Sequence, residues 1–171
     1  MFQMKSAKKT SQWKEFTPKR VVKLLKAVQK ITQIKKKGPK AKSWRVEVEI
    51  VGEAKMTQLN AQYRKKNRST DILSFVAPEP FYSQGVLGEL VICLPVLKRQ
   101  AKERDLLPEM ELDILLTHGI LHLLGFEHEK TKKAAKEMAQ LEVKVLKRVS
   151  LKKWIHQTDG RCLSGLIERV S

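Results

Sequence analysis

The chain has 171 residues, of which 35 are Lys or Arg and 18 are Asp or Glu, and 42% of its residues are hydrophobic. This length is typical of one compact domain, and the apolar content is too high for a disordered chain. No uninterrupted apolar run approaches the roughly 18 residues of a membrane-spanning helix. Cys93 and Cys162 cannot build a disulfide framework, and residues 1–10 lack the apolar segment of a secretory signal. We therefore expect a cytoplasmic protein without a membrane role.

Positive charge is concentrated near the N-terminus. Residues 1–45 hold 15 Lys or Arg and one acid, Glu15, whereas the remaining residues hold 20 basic and 17 acidic side chains. Such a basic block attracts nucleic acid by releasing counterions, but it is equally typical of a solvated helix face or a flexible arm. Charge alone therefore leaves nucleic-acid binding and simple solvation as open alternatives.

The first half of the chain predicts helices alternating with strands. We interpret residues 1–16 as a basic arm, followed by a helix that begins at Thr17 and Pro18, with Thr17 as the N-cap. Periodicity predicts a strand over 44–50 and an amphipathic helix over 53–66, and two short strands are predicted over 71–76 and 90–94. The last of these strands is apolar throughout and rich in β-branched residues, so we expect it to be buried.

The second half predicts helices only, over residues 96–105, 108–125 and 132–149. The middle helix is apolar on most of its circumference, which indicates a position at the centre of the fold. Gly125 is expected to end it in a left-handed conformation. Residues 151–171 are interpreted as a C-terminal tail of unknown role, so that residues 17–150 form the single domain.

Three of the four histidines lie within eleven residues, at His118, His122 and His128. The first two are four residues apart on the predicted central helix, so their imidazoles lie on one face, one turn apart. Gly125 lets the chain turn sharply and return the third to the same point. Three neutral imidazoles suit one Zn²⁺ ion and leave a fourth position for water, as in catalytic zinc sites. Histidines packed without a metal are the less favoured alternative, because buried imidazoles without partners are costly.

The same histidine spacing occurs in metzincin proteases, where the residue after the first His is the Glu that acts as general base. In this chain that residue is Gly119. The pattern keeps the metal ligands and loses the base, which disfavours peptide hydrolysis by the usual route. A divergent metallopeptidase is therefore the weakest of the functional alternatives.

The string from His118 to His128, HGILHLLGFEH, resembles the H-G-x-L-H-L-x-G-Y/F-D-H signature of the bacterial YbeY family of metal-dependent endoribonucleases. Three more segments resemble that family in the same order, namely LNAQYR at 59–64, STDILSF at 69–75 and LGELVI at 87–92. The matches span about residues 44–149. Glu127 and Glu89 stand where the family usually has Asp, and Ser69 stands where it usually has Pro. The basic N-terminus and the tail are not typical of the family.

The resemblance implies an α+β fold in which a small mixed β-sheet packs against helices, with a buried metal-binding helix at the centre. It implies one zinc ion held by His118, His122 and His128. It also implies that Arg64 is a catalytic residue near the metal that holds an RNA phosphate, which suits the fork of an arginine. Without the resemblance, Arg64 would be interpreted as a surface cation. Zinc lowers the pKa of its bound water toward about 7, so a nucleophile is available without the metzincin Glu.

The implied function is a zinc-dependent, single-strand-specific endoribonuclease that acts in ribosomal RNA maturation, at the 3′ end of the small-subunit RNA, and in ribosome quality control. The implied partners are ribosomal RNA, the small ribosomal subunit and ribosome-associated proteins. The alternative is a non-catalytic, RNA-binding assembly factor in which the metal is structural. An open coordination position distinguishes the two, because a structural zinc site is closed by a fourth side chain.

The other candidate residues have simpler interpretations. Asp71 is predicted to be a turn or cap residue, and Cys93 to be a small buried hydrophobe. Glu127 is predicted to orient His128 rather than to transfer a proton. His156 has no predicted partner that would make it a ligand.

Overall fold

The computed structural model describes residues 4–33, 38–128 and 131–154. Within these ranges the chain forms five helices and three strands. Their order is α1 Met4–Gln33, β1 Arg45–Val51, α2 Glu53–Arg64, β2 Ile72–Val76, β3 Val86–Cys93, α3 Leu94–Glu103, α4 Pro108–Leu123 and α5 Lys132–Trp154. None of these helices carries an apolar stretch long enough to cross a membrane. The predicted α+β class with a small mixed sheet is confirmed.

The sheet has β3 at its centre, paired in parallel with β1 and antiparallel with β2. Side chains alternate between the two faces of a strand, and β3 is buried on both of them. Leu90 and Ile92 belong to the main core, whereas Val91 and Cys93 pack in a second cluster with Met56 of α2. Burial on both faces explains why β3 is apolar almost throughout, without alternating apolar and polar residues. The second half of this strand was predicted to be buried.

Helix α4 lies at the centre of the molecule. It packs against α1, α3, α5 and strands β2 and β3, and most of its residues are buried. Pro108 occupies the first turn of α4, where its missing N–H removes no hydrogen bond. Gly125 follows its C-terminus with a φ of 76°, a left-handed conformation that costs glycine little. The predicted central helix and its glycine terminator are confirmed.

The N-terminal end of α1 differs from the prediction. The helix begins at Met4 instead of Thr17, and Pro18 lies inside it. Thr17 does not cap the following turn, because its Oγ1 donates a hydrogen bond to the Trp13 carbonyl, 2.6 Å away. Residues 4–16 are rich in good helix formers, and Trp13 packs against the main core. The prediction that this helix begins at Thr17 and Pro18 is therefore wrong.

Helix α5 also extends beyond its predicted end at residue 149, to Trp154. The first four residues of the predicted tail are thus helical, and residues 155–171 lie outside the described part of the chain. The division of the chain at residues 16 and 150 into arm, domain and tail stays a prediction.

The left-handed backbone conformation of Lys65, at the C-terminal end of α2, is expected to lower the free energy of unfolding. Its φ of 59° and ψ of 29° place it in the left-handed region, and its side chain is exposed. Lys65→Gly should raise the free energy of unfolding by about 1 kcal/mol, because glycine carries no steric penalty there. Urea denaturation measures this. The control Lys55→Gly, inside the same helix, should lower stability by about the same amount, and a loss in both variants would contradict the expectation.

Candidate metal centre

The three histidines predicted as ligands lie together in the structure. The ring centroids of His118 and His122 are 4.5 Å apart, and both lie within 5.2 Å of the His128 ring. One nitrogen from each ring can be chosen so that all three lie within 4.8 Å of one another. Two rings meet because they are one turn apart on α4, and the third is returned by the turn at Gly125. All three side chains are half-buried.

The spacing of the ring nitrogens fits a shared metal ion. The Nε2 atoms of His118 and His122 are 3.0 Å apart. Two nitrogen ligands at about 2.0–2.1 Å from a tetrahedral zinc ion lie roughly 3.3 Å from each other. Among the described residues, the cluster of candidate ligands contains the three histidines and no fourth side chain. An ion held in this way keeps one position for an oxygen of solvent or substrate.

Glu142 of α5 holds the other nitrogen of His118. Its Oε1 lies 2.7 Å from His118 Nδ1, and its side chain is only 12% exposed. A carboxylate on Nδ1 fixes the ring orientation and the tautomer, which leaves the Nε2 lone pair directed at a metal. Glu142 was not predicted from the sequence, although an acid next to Leu141 and four residues after Met138 on the inward face of α5 was a usable signal.

Removal of the Glu142 carboxylate should weaken metal binding. We expect Glu142→Ala to lower zinc affinity by about 10–100-fold, because the His118 ring loses its fixed orientation and some basicity. Glu142→Gln should fall between this variant and the native chain, since an amide oxygen still accepts the Nδ1 hydrogen. Competition with a chromophoric chelator measures the affinity. Glu103→Ala, which removes an exposed acid at the end of α3, is the control, and equal affinities in all variants would contradict the role.

The environment of His122 favours its neutral form. Burial, and after it the charges of His118 and His128, lower the pKa of His122 from 6.5 to about 4. Arg64 contributes in the same direction, and a hydrogen bond with the Phe126 backbone opposes the shift. A histidine must be neutral to bind a metal, so His122 is ready to bind at neutral pH.

The influence of Arg64 on His122 can be measured in metal-free protein. We expect Arg64→Gln to raise the pKa of His122 in an NMR titration, because a nearby positive charge is removed. Lys55→Gln, in the first turn of the same helix, should leave it unchanged. The native pKa of His122 lies below the 6.5 of an unfolded chain. The unfolded chain therefore takes up the proton first, and the metal-free fold loses stability as the pH falls from 6.5 toward 4. An unchanged pKa in Arg64→Gln would contradict the proximity.

Gly119 explains why the metzincin base is absent. A Cβ atom at this position would lie 2.7 Å from a methyl group of Leu90 and 2.8 Å from one of Ile72. Real Cβ atoms do not approach other atoms so closely, so glycine is what allows α4 to lie directly against the sheet. A Glu here would have to displace these two methyl groups of the sheet.

Arg64 lies beside a second feature of the surface, a hollow of about 160 Å³. Arg64, Lys66 and Arg68 line it together with Ser69 and Thr70, and the lining contains no acidic side chain. The three cations are exposed. Of these residues only Arg64 was predicted to bind RNA, although the basic residues that follow it in the sequence were a signal. Arg64 thus lines a basic hollow, and its charge also favours the neutral form of His122.

Asp71 has a structural role, as predicted. Its Oδ1 accepts hydrogen bonds from the Ile72 N–H, at 2.9 Å, and from Thr70 Oγ1, at 3.1 Å. Its Oδ2 accepts one from Gln100 Nε2 at 3.1 Å. The carboxylate therefore fixes the start of β2 and ties it to α3.

The remaining predicted residues are placed as follows. Cys93 is buried, which confirms its interpretation as a small hydrophobe. Glu127 is exposed, and its predicted role in orienting His128 stays a prediction. His156 lies outside the described residues.

The fold and the histidine cluster define a small α+β protein with a candidate metal centre on its central helix. Residues 5–150 match the sequence profile of the family described as Endoribonuclease YbeY. The chain is 44% identical over 130 residues to the endoribonuclease YbeY of Bdellovibrio bacteriovorus, which covers 71% of this chain and 83% of the relative. Over 106 residues it is 38% identical to that of Persephonella marina, with 61% and 69% covered.

A solved structure supports the same relationship. The solution structure of a Thermotoga maritima protein superimposes with a TM-score of 0.54 at 28% identity, covering 85% of this chain and 89% of the other. The chain therefore belongs to the endoribonuclease YbeY family. This confirms the resemblance seen in the sequence and the predicted enzyme class, an endoribonuclease that hydrolyses RNA phosphodiester bonds.

Proposed function

We propose that this chain is a zinc-dependent, single-strand-specific endoribonuclease that matures the 3′ end of small-subunit ribosomal RNA and contributes to ribosome quality control. The observation that carries the proposal is the cluster of His118, His122 and His128, whose nitrogens lie within 4.8 Å of one another. Bound there, zinc would supply a Lewis acid for a phosphoryl oxygen and a water of lowered pKa.

Arg64 is the proposed catalytic residue of this chain. Its guanidinium binds an oxygen of the scissile phosphodiester and stabilises the negative charge that grows there during cleavage. The contribution of its charge to the lowered pKa of His122 supports this role, because it has the direction expected for a cation near the histidine cluster. Arg64 orients the phosphate, while Glu142 keeps His118 oriented toward the ion.

The basic hollow next to Arg64 supports specificity for single strands. Lys66 and Arg68 would bind the next phosphate of the RNA backbone. A hollow of about 160 Å³ is suited to part of one flexible strand more than to a rigid duplex. Proteins also recognise RNA mainly in single-stranded segments, where the bases are unstacked and accessible.

The partners proposed for this enzyme are ribosomal RNA, the small ribosomal subunit and ribosome-associated proteins, all in the cytoplasm. Helix α1 supports an RNA partner by its spacing of exposed cations at Lys19, Lys23, Lys26 and Lys30. These residues are four, three and four positions apart, so they form one stripe along the helix. Phosphates bound along it would release counterions and make the affinity for RNA depend on salt.

Cleavage of a small-subunit ribosomal RNA precursor by the purified protein tests the proposal. We expect cutting in a single-stranded segment that stops with a chelator and returns with zinc. A duplex covering the same segment should resist. With cobalt in place of zinc, an exchangeable water should be visible in the spectrum, since no fourth protein ligand is expected.

The same experiment decides between the proposal and a non-catalytic assembly factor with a structural metal. In that case the zinc-loaded protein would bind the RNA and leave it intact, also when small-subunit particles are present. The cobalt spectrum would then show a closed four-ligand site. Cleavage restored equally well by other divalent ions would reject zinc as the specific metal.

A further inference from the structure

Tyr63 presents an exposed aromatic ring next to the basic hollow. Of the aromatic side chains that the structure describes, only Tyr63 and Phe81 are exposed, at 56% and 55%. Tyr63 directly precedes Arg64 in the last turn of α2. A single exposed aromatic side chain is ordinary on a protein surface, so the groups around the ring decide what it can bind.

The Tyr63 ring adjoins the hollow on both of the elements that surround it. Asn60 lines the hollow, and Tyr63 follows it by three residues on α2, so the two side chains are neighbours on the helix surface. On β2, Leu73 lines the hollow, and Phe75 follows on the same face of the strand. The rings of Tyr63 and Phe75 meet edge to face, with centroids 4.9 Å apart. This aromatic pair therefore lies directly beside the hollow.

The ring of Tyr63 is held in place before any ligand binds. Its partner Phe75 is half-buried and packs against the second core cluster, which includes Met56. The loop that carries the cations of the hollow is tied to the same helix, because Asn60 Nδ2 donates a hydrogen bond to the Arg68 carbonyl at 2.7 Å. A ring that is already held loses little side-chain entropy when a ligand stacks on it.

The charges around the two features favour different parts of a nucleotide. Arg64, Lys66 and Arg68 line the hollow with positive charge. Glu89 of β3, by contrast, is the register partner of Phe75. Such partners lie on the same face of a sheet, so a carboxylate lies beside Phe75. A carboxylate repels a phosphate and accepts hydrogen bonds from the amino group of a base. The hollow therefore suits the backbone of a strand, and the aromatic pair suits a base.

We propose that Tyr63 stacks on one nucleobase of the RNA strand whose phosphates bind in the basic hollow. This role rests on the proposed function and adds a reason for its preference for single strands. A base reaches the Tyr63 ring only after it has left the stack of its own helix, which a duplex resists. Every base has a π face, so stacking selects unpaired RNA without selecting a sequence.

The affinity of the full chain for a short single-stranded RNA, measured in chelator so that the RNA stays intact, tests this role. Tyr63→Ala should weaken binding about ten- to a hundredfold, as expected for the loss of one stacked base. Tyr63→Leu still packs on Phe75 but has no π face, so it should weaken binding to the same extent. Tyr63→Phe should retain the affinity. Phe81→Ala removes a ring of nearly equal exposure that does not line the hollow, and it should bind as the native chain does.

Removal of single bases from the RNA gives a readout that a purely structural role would not change. An abasic residue at the position that reaches Tyr63 should weaken binding to the native chain by the same factor as Tyr63→Ala. It should cause no further loss in Tyr63→Ala, because the two changes remove one contact. Abasic residues elsewhere should affect both proteins equally. A duplex of the same sequence should bind both proteins alike.

The result that would overturn the proposal is equal affinity of the native chain and Tyr63→Ala for single-stranded RNA. An equal loss in Phe81→Ala would overturn it as well, and so would losses that add at every abasic position. Coupling between Tyr63 and one base, without zinc-dependent cleavage, would support the stacking role and reject the proposed enzyme. Cleavage without this coupling would reject the stacking role alone.

Discussion

His122→Ala is expected to abolish zinc binding and to lower the cleavage rate of single-stranded RNA by at least about a thousandfold, equivalent to roughly 4 kcal/mol of transition-state stabilisation. His122 is one of three candidate ligands, and its neutral form is favoured at neutral pH. Without it only His118 and His128 remain, and two imidazoles hold zinc far more weakly than three. Initial rates and the zinc content of the purified variant measure the two effects.

Two controls separate loss of the metal from loss of the fold. The thermal unfolding of His122→Ala should match that of the native protein in chelator, since both lack the ion. Arg64→Gln should keep its zinc and lose activity, because Arg64 is proposed to bind the phosphate and not the metal. A His122→Ala protein that retained zinc and more than about a tenth of the native rate would reject the cluster as the catalytic centre.

The ligand cluster could be predicted from the sequence because its geometry is local. His118 and His122 are an i, i+4 pair on one helix, and the turn at Gly125 returns His128 to the same point. These contacts depend on short-range geometry and not on the packing of distant segments. Glu142 could not be placed in the same way. It meets His118 only because α5 packs against α4, and the two residues are 24 positions apart.

For the fold as well, single helices and strands could be predicted from the sequence, but their arrangement could not. The apolar, β-branched run of β3 and the apolar circumference of α4 identify both elements from their own residues. The order β1-β3-β2 and the parallel pairing of β1 with β3 depend on contacts between distant segments, which no local pattern contains. The start of α1 was missed for the same reason, because Trp13 stabilises the first turns through the core instead of through a local cap.

Gly119 stands where metzincin proteases have their catalytic Glu, and it also lets α4 pack closely on the sheet. The sequence shows that the metzincin base is missing, and the structure gives the reason, since α4 rests on Leu90 of β3 at this point. The close approach places the helix deep in the core, with His118 and His122 on the same helix beside this contact. A site on so rigid an element keeps its ligands in place before a metal binds.

The second large effect is expected at the ion pair between Arg104 and Glu111 of α4, which is not part of the histidine cluster. Arg104 Nη1 contacts both carboxylate oxygens of Glu111, at 2.6 and 2.8 Å, and the Glu111 side chain is fully buried. Burial raises the pKa of Glu111, and the Arg104 guanidinium opposes that shift. Arg104→Met should therefore cost about 3–5 kcal/mol of unfolding free energy at pH 7, because the buried carboxylate loses its partner. Urea denaturation measures the loss.

Two comparisons make this expectation specific to the buried charge. Arg99→Met removes a cation whose pair with Glu53 is about half exposed, and it should cost less than about 1 kcal/mol. Arg104→Met combined with Glu111→Met should recover most of the loss, since an apolar pair has no desolvation cost. The raised pKa also fixes the effect of pH. Protonation neutralises the unpaired carboxylate, so the deficit of Arg104→Met should shrink as the pH falls from 7 to 5. A deficit that was independent of pH and unaffected by the second substitution would mean that Arg104 stabilises the protein through packing alone.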